Sequence, residues 1–149
     1  MARILIVAHA PLASALQQVA QHVYPDCGAG LAAVDVPSGA SSEDVQALVC
    51  AALADCPGEE VLILVDVFGA TPCNAALAAA DGFKARVVAG VNVPMLWRTL
   101  CYSDKSLDDM VSRAVAGACQ GVMHVTMPKR QNQAASPVSH DQVQHHHQQ

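Results

Sequence analysis

The chain has 149 residues, 52% of them hydrophobic and 14% charged, so it reads as one domain with a sizeable core and not as a disordered protein. Eight basic against 13 acidic residues give a net charge of −5 and aromatics make up only 3%, so neither phosphate-backbone binding nor base stacking has a footprint, and nucleic acid is excluded as a partner. No apolar run approaches the ~18 residues of a membrane span and the first residues lack the basic start and long apolar stretch of a signal peptide, so a cytoplasmic protein is expected.

The 27 alanines and 20 valines are small and β-branched groups that suit helices packed closely on a sheet. In chain order, Arg3 to Ala8 is a short apolar run, as a strand covered on both faces would be, and it ends at His9. A helical stripe follows at Leu12, Leu16, Val19, Ala20 and Val23 and stops before Pro25. Leu31 to Val36 is a second strand. Ser41 with Asp44 forms a capping box for a helix whose stripe is Val45, Leu48, Val49, Ala52 and Leu53, closing at Pro57-Gly58. Val61 to Val65 is a third buried strand and ends at Asp66. A helix is expected from Pro72 at its first position, with Thr71 as cap, to about Asp81-Gly82.

Arg86 to Val91 reads as a fourth strand, Pro94 opens a short helix through Leu100, and Ser106 with Asp109 caps another. That last helix carries Leu107, Met110, Val111, Ala114, Val115 and Ala118 on its apolar side. Gly121 to Met127 is a candidate last strand. After Pro128 the apolar periodicity stops, so residues 1–128 are expected to form the domain and residues 129–149 a disordered polar tail. Strands alternating with helices predict an α/β fold: a doubly wound, mainly parallel open sheet with right-handed crossovers and helices on both faces. The six cysteines, Cys27, Cys50, Cys56, Cys73, Cys101 and Cys119, are scattered without a C-x-x-C pair, and are expected to be buried free thiols in a reducing cytosol.

In open α/β sheets, ligands bind at the carboxyl ends of the strands where strand order reverses; for an order beginning 2-1-3 that point lies between strands 1 and 3. His9 and Asp66 close those two strands, so the imidazole and the carboxylate would face each other across one crevice. A carboxylate on one ring nitrogen fixes the tautomer, makes the other nitrogen the nucleophile and stabilises positive charge on the ring. In the loop that follows, Gly69 permits close backbone approach, and Thr71 with the unpaired N–H groups of a helix start forms an anion site of the kind that holds phosphate. These parts point to a histidine that accepts a phosphoryl group. Either residue can equally be structural, a His as a strand-end filler and an Asp as a turn former. His22 and His124 have no comparable setting.

Cys73 is the rival nucleophile, because a helix N-terminus lowers a thiol pKa. A cysteine phosphatase would follow its Cys with a Gly-rich loop and an Arg, whereas Asn74-Ala75-Ala76-Leu77 continues into helix. No G-x-G-x-x-G, no Walker sequence and no metal-ligand spacing occurs in the predicted domain, so neither a nucleotide cofactor nor a metal is expected.

Three stretches carry a resemblance: Ile4 to His9 with Leu12 to Leu16, Val65 to Ala76, and Val88 to Leu96. In order and spacing they resemble the enzyme IIA component of the mannose/fructose/sorbose family of the bacterial phosphoenolpyruvate:sugar phosphotransferase system (PTS), over about residues 1 to 127. The resemblance implies a phosphocarrier without a cofactor. His9 would take a phosphoryl group from phospho-HPr and pass it to a IIB partner in sugar uptake. Asp66 would orient its ring, and Gly69, Ala70, Thr71, Cys73 and Asn74 would cradle the phosphate. It also implies sheet order 2-1-3-4, a homodimer in which Gly121 to Met127 crosses to the partner's sheet, and at most peripheral membrane association through the permease. The family commonly has glycines where this chain has Ala8, Ala10 and Ala70, and the methyl of Ala70 fits only if its backbone angles are ordinary. A fused IIB domain is not expected. The alternatives are a regulator of the same fold whose His9 phosphorylation is read by a partner, a Cys73-dependent enzyme, and a small-ligand domain at the switch point.

Overall fold

Every residue of Ile4 to Ala8 is buried, so this run has no polar face to turn to water and needs cover on both sides. A parallel sheet provides that cover. In the computed structural model, which describes residues 2–28 and 30–127, β1 (Arg3–His9) lies between β2 (Leu31–Val36) and β3 (Val61–Val65), and β4 (Ala85–Ala89) completes the order β2-β1-β3-β4. All three pairings are parallel, with Val7 opposite Val65, Ala8 opposite Asp35 and His9 opposite Val36. The expected α/β class and the order 2-1-3-4 are what the structure shows.

Alternation along the strands divides the core in two. Ile4, Ile6, Ala8, Leu62 and Leu64 pack against α1 (Leu12–Val23), α5 (Val93–Cys101) and α6 (Leu107–Gln120). Leu5, Val7, Val61, Ile63 and Val65 pack against α3 (Ser42–Ala54) and α4 (Thr71–Ala80). All five residues of β3 are buried, and each such branched side chain contributes roughly 1.5–3 kcal/mol through burial. Three helices are capped by side chains: Ser41 Oγ accepts from the Asp44 N–H, Asn92 Oδ1 from the Met95 N–H, and Ser106 Oγ from the Asp109 N–H.

Several expectations change. The inward face of α1 is Ala13, Leu16 and Ala20, while Leu12, Val19 and Val23 stay partly exposed; small side chains inward let this helix sit close on the sheet. A one-turn helix α2 (Pro25–Gly28) follows it. α4 begins one residue early, with Ala70 at the N-cap and Thr71 and Pro72 as its first helical residues, so Thr71 is not the cap. Among the cysteines only Cys73 is buried; Cys50 and Cys56 are half-buried, and Cys27, Cys101 and Cys119 are exposed on outer helix faces. Gly121 closes α6, where a Cβ would collide with Pro94, and residues 122–127 form no strand within the chain. Their apolar side chains have no cover: Val122, Met123, Val125 and Met127 are 69–93% exposed. The predicted tail at 129–149 lies outside the described residues.

Candidate functional site

Both central strands end on a polar residue because their apolar runs stop at the same edge of the sheet. With Val7 opposite Val65, His9 and Asp66 emerge side by side. The Asp66 carboxylate ties the two strand ends together: Oδ2 accepts from the His9 backbone N–H at 2.9 Å and lies 2.6 Å from His9 Nδ1, while Oδ1 accepts from the Val67 N–H at 2.8 Å. An acceptor-only carboxylate at Nδ1 places the ring proton there, so Nε2 carries the free lone pair. The His9 side chain is 54% exposed and that of Asp66 only 12%. Burial pushes the Asp66 carboxyl pKa up, yet the hydrogen bonds from the His9 N–H, the His9 ring and the Val67 N–H outweigh it and hold the pKa below the ordinary carboxylate value. Asp66 is therefore an anion at neutral pH, as a partner for an imidazole that becomes positive must be.

The chain then turns through Gly69, whose φ of +84° is a left-handed conformation that a side chain would strain. Ala70 has φ −86° and ψ 168°, ordinary extended backbone, so its methyl costs nothing where a glycine was expected. No side chain caps α4. The Thr71 and Cys73 N–H groups lie in the first turn, where helix geometry supplies no acceptor; Pro72 has none to offer, and the Asn74 N–H is bonded to the Ala70 carbonyl. The arrangement can take a small anion beside Nε2.

On this geometry the comparisons with known proteins bear directly. The family model described as PTS system fructose IIA component (EIIA-man) matches residues 3–115. The chain belongs to this EIIA family. It is 31% identical over 140 residues to the PTS system fructose-specific EIIA component of Bacillus subtilis, covering 89% of this chain and 95% of that protein. It is 38% identical over 82 residues to the PTS system mannose-specific EIIAB component of Escherichia coli K12, a match that takes in 53% of this chain but only 25% of the longer protein. The solved mannose/sorbose specific IIA subunit from Enterococcus faecalis has the same fold, with a TM-score of 0.80 at 23% identity over 86% of this chain and 97% of that one.

Within this EIIA-family chain the expected cradle residues are not equivalent. Gly69, Ala70 and Thr71 come together at the helix start. Cys73 offers only its backbone there, since its side chain is 2% exposed and packed in the α3–α4 core, which removes it as an accessible nucleophile. Asn74 donates from Nδ2 to the Gly69 carbonyl at 3.3 Å and so closes the loop. Asp35 was not anticipated. α1 starts after a cis Ala10–Pro11 bond with no cap from its own side chains, and Asp35 Oδ1, on the neighbouring strand, accepts the Ser14 N–H at 3.1 Å instead. The one signal in the sequence was an acid near the end of an otherwise apolar strand. Among the described residues no group of three metal-ligating side chains occurs, and no helix is long and apolar enough to cross a membrane.

Proposed function

We propose that this chain is a PTS phosphocarrier in sugar uptake, with His9 Nε2 as the transient phosphoryl acceptor. The observation that carries the reading is the 2.6 Å contact of His9 Nδ1 with the partly buried Asp66 carboxylate, which leaves Nε2 free on a half-exposed side chain; family membership supports it. The donor is phospho-HPr and the acceptor a IIB protein. The Nε2 lone pair attacks phosphorus in line, the donor N–P bond breaks, and its electron pair returns to the donor ring. No proton leaves His9: the proton stays on Nδ1, donated to Asp66 Oδ2, and the carboxylate charge offsets the positive charge acquired by the ring. Backbone N–H groups at Thr71 and Cys73 receive the phosphoryl oxygens. Positioning and charge stabilisation are all this transfer asks of the protein.

The same reading makes the chain a cytoplasmic homodimer in which the segment Gly121 to Met127 pairs with the partner's sheet, and which reaches the membrane only through the permease. The exposed apolar side chains of that segment support the pairing. Incubation with phosphoenolpyruvate, enzyme I and HPr is expected to give an acid-labile, base-stable adduct that is lost in His9→Ala and persists in Cys73→Ala. No adduct, or one indifferent to His9→Ala, overturns the proposal. Onward passage to a IIB protein distinguishes a transport relay from a regulator whose phosphorylation is only read.

A further inference from the structure

Phe68 stands out on the surface of the site. It sits two residues after Asp66, on the loop that leads into α4, and is 79% exposed. Val67 beside it is 51% exposed, and Leu12, which opens α1 three residues after His9, is 39% exposed. These side chains come from the two segments that the His9–Asp66 contact joins. In a chain with five aromatic residues in all, an aromatic that packs against so little of its own protein has no folding role to explain it. The charges point the same way. The segments leaving the carboxyl ends of the strands, residues 10–14, 37–44, 66–74 and 90–97, contain no lysine or arginine. They do contain the carboxylates Glu43, Asp44 and Asp66, the last in contact with the His9 ring.

We infer that Phe68 is the docking anchor for a protein phosphodonor that brings its own cations to the phosphoryl group and an apolar pocket for the ring. A small anionic donor finds no lysine or arginine in these segments to hold it, and reacts with His9 only as it does with any exposed imidazole. A protein whose basic groups flank its phosphohistidine complements the surface in both charge and apolarity. The inference rests on His9 being the acceptor, and it makes Phe68 a specificity residue rather than a catalytic one.

The test compares two donors, phospho-HPr and the small molecule phosphoramidate, whose P–N bond breaks as the Nε2–P bond forms and ammonia leaves. For Phe68→Ala the ratio of the phospho-HPr rate (kcat/KM) to the phosphoramidate rate is expected to fall tenfold or more, with the loss in KM and not in kcat. Phe68→Trp restores the ratio. Phe83→Ala, at an exposed phenylalanine between α4 and β4, keeps it at the wild-type value. A Phe68→Ala ratio within twofold of wild type, with phosphoramidate labelling His9 normally, overturns the docking inference alone. Failure of phosphoramidate to label His9 in the wild-type protein overturns the phosphohistidine reading and the inference with it.

Discussion

The two ends of the sheet have opposite characters. At the amino ends of the strands the chain gathers charge: Arg3 Nε pairs with Glu59 at 2.8 Å, Arg86 Nε with Asp108 at 3.6 Å, and Lys84 and Glu60 stand beside them. A cavity lined by Ala2, Ile4, Cys27, Leu31 and Leu100 opens at that end too. At the carboxyl ends the charged groups are carboxylates, Asp35, Glu43, Asp44 and the partly buried Asp66, beside one imidazole and a set of backbone N–H groups. The charged end is the more conspicuous, yet its ion pairs are exposed and screened, and exposed pairs contribute little. Among the described residues the quiet end holds the least exposed carboxylate in any such contact, Asp66, at 12%. Burial and the number of convergent donors, more than the density of charge, separate a chemical site from a solvated rim.

Changes at the two ends should differ accordingly. Asp66→Asn removes the anion but keeps the shape, and transfer to His9 is expected to slow by roughly 10²-fold or more, with an unchanged circular dichroism spectrum. Acid does the same to the wild-type protein. Because the folded pKa of Asp66 is depressed, the contact and the stability it adds are fully present above the ordinary carboxylate value of about 3.9, and are lost as pH falls through the lower folded value. Asp35→Ala strips the α1 start of its borrowed cap and should lower the unfolding free energy in urea by about 1 kcal/mol. Arg3→Gln, at the charged end, should shift neither the urea midpoint nor the transfer rate measurably. If Arg3→Gln slows transfer as much as Asp66→Asn, the contrast between the two ends is wrong.

Much of this was legible along the chain. Four apolar runs separated by helical stripes lead directly to a parallel sheet, and His9 and Asp66 show themselves because each interrupts such a run at its last residue. What the sequence hides depends on contacts between distant segments. Asp35 acts on Ser14 only because β2 lies beside β1 with Ala8 opposite Asp35, and no local pattern carries that register. The stripe of α1 misleads because periodicity counts bulky residues, whereas close approach to the sheet selects Ala13 and Ala20. Residues 121–127 have the composition of a strand but no partner within the chain, and composition alone cannot say whose sheet a strand joins.

The Asp66 carboxylate touches the last residue of β1 twice and the residue that follows itself once. A slip of one residue between β1 and β3 would turn His9 to the other face of the sheet and part both of its bonds to Asp66. Nucleophile, orienting anion and correct strand alignment thus exist together or not at all. A chain that has collapsed without finding its register has the same histidine and the same aspartate and should remain unlabelled, so phosphoryl uptake doubles as a chemical assay of native strand pairing.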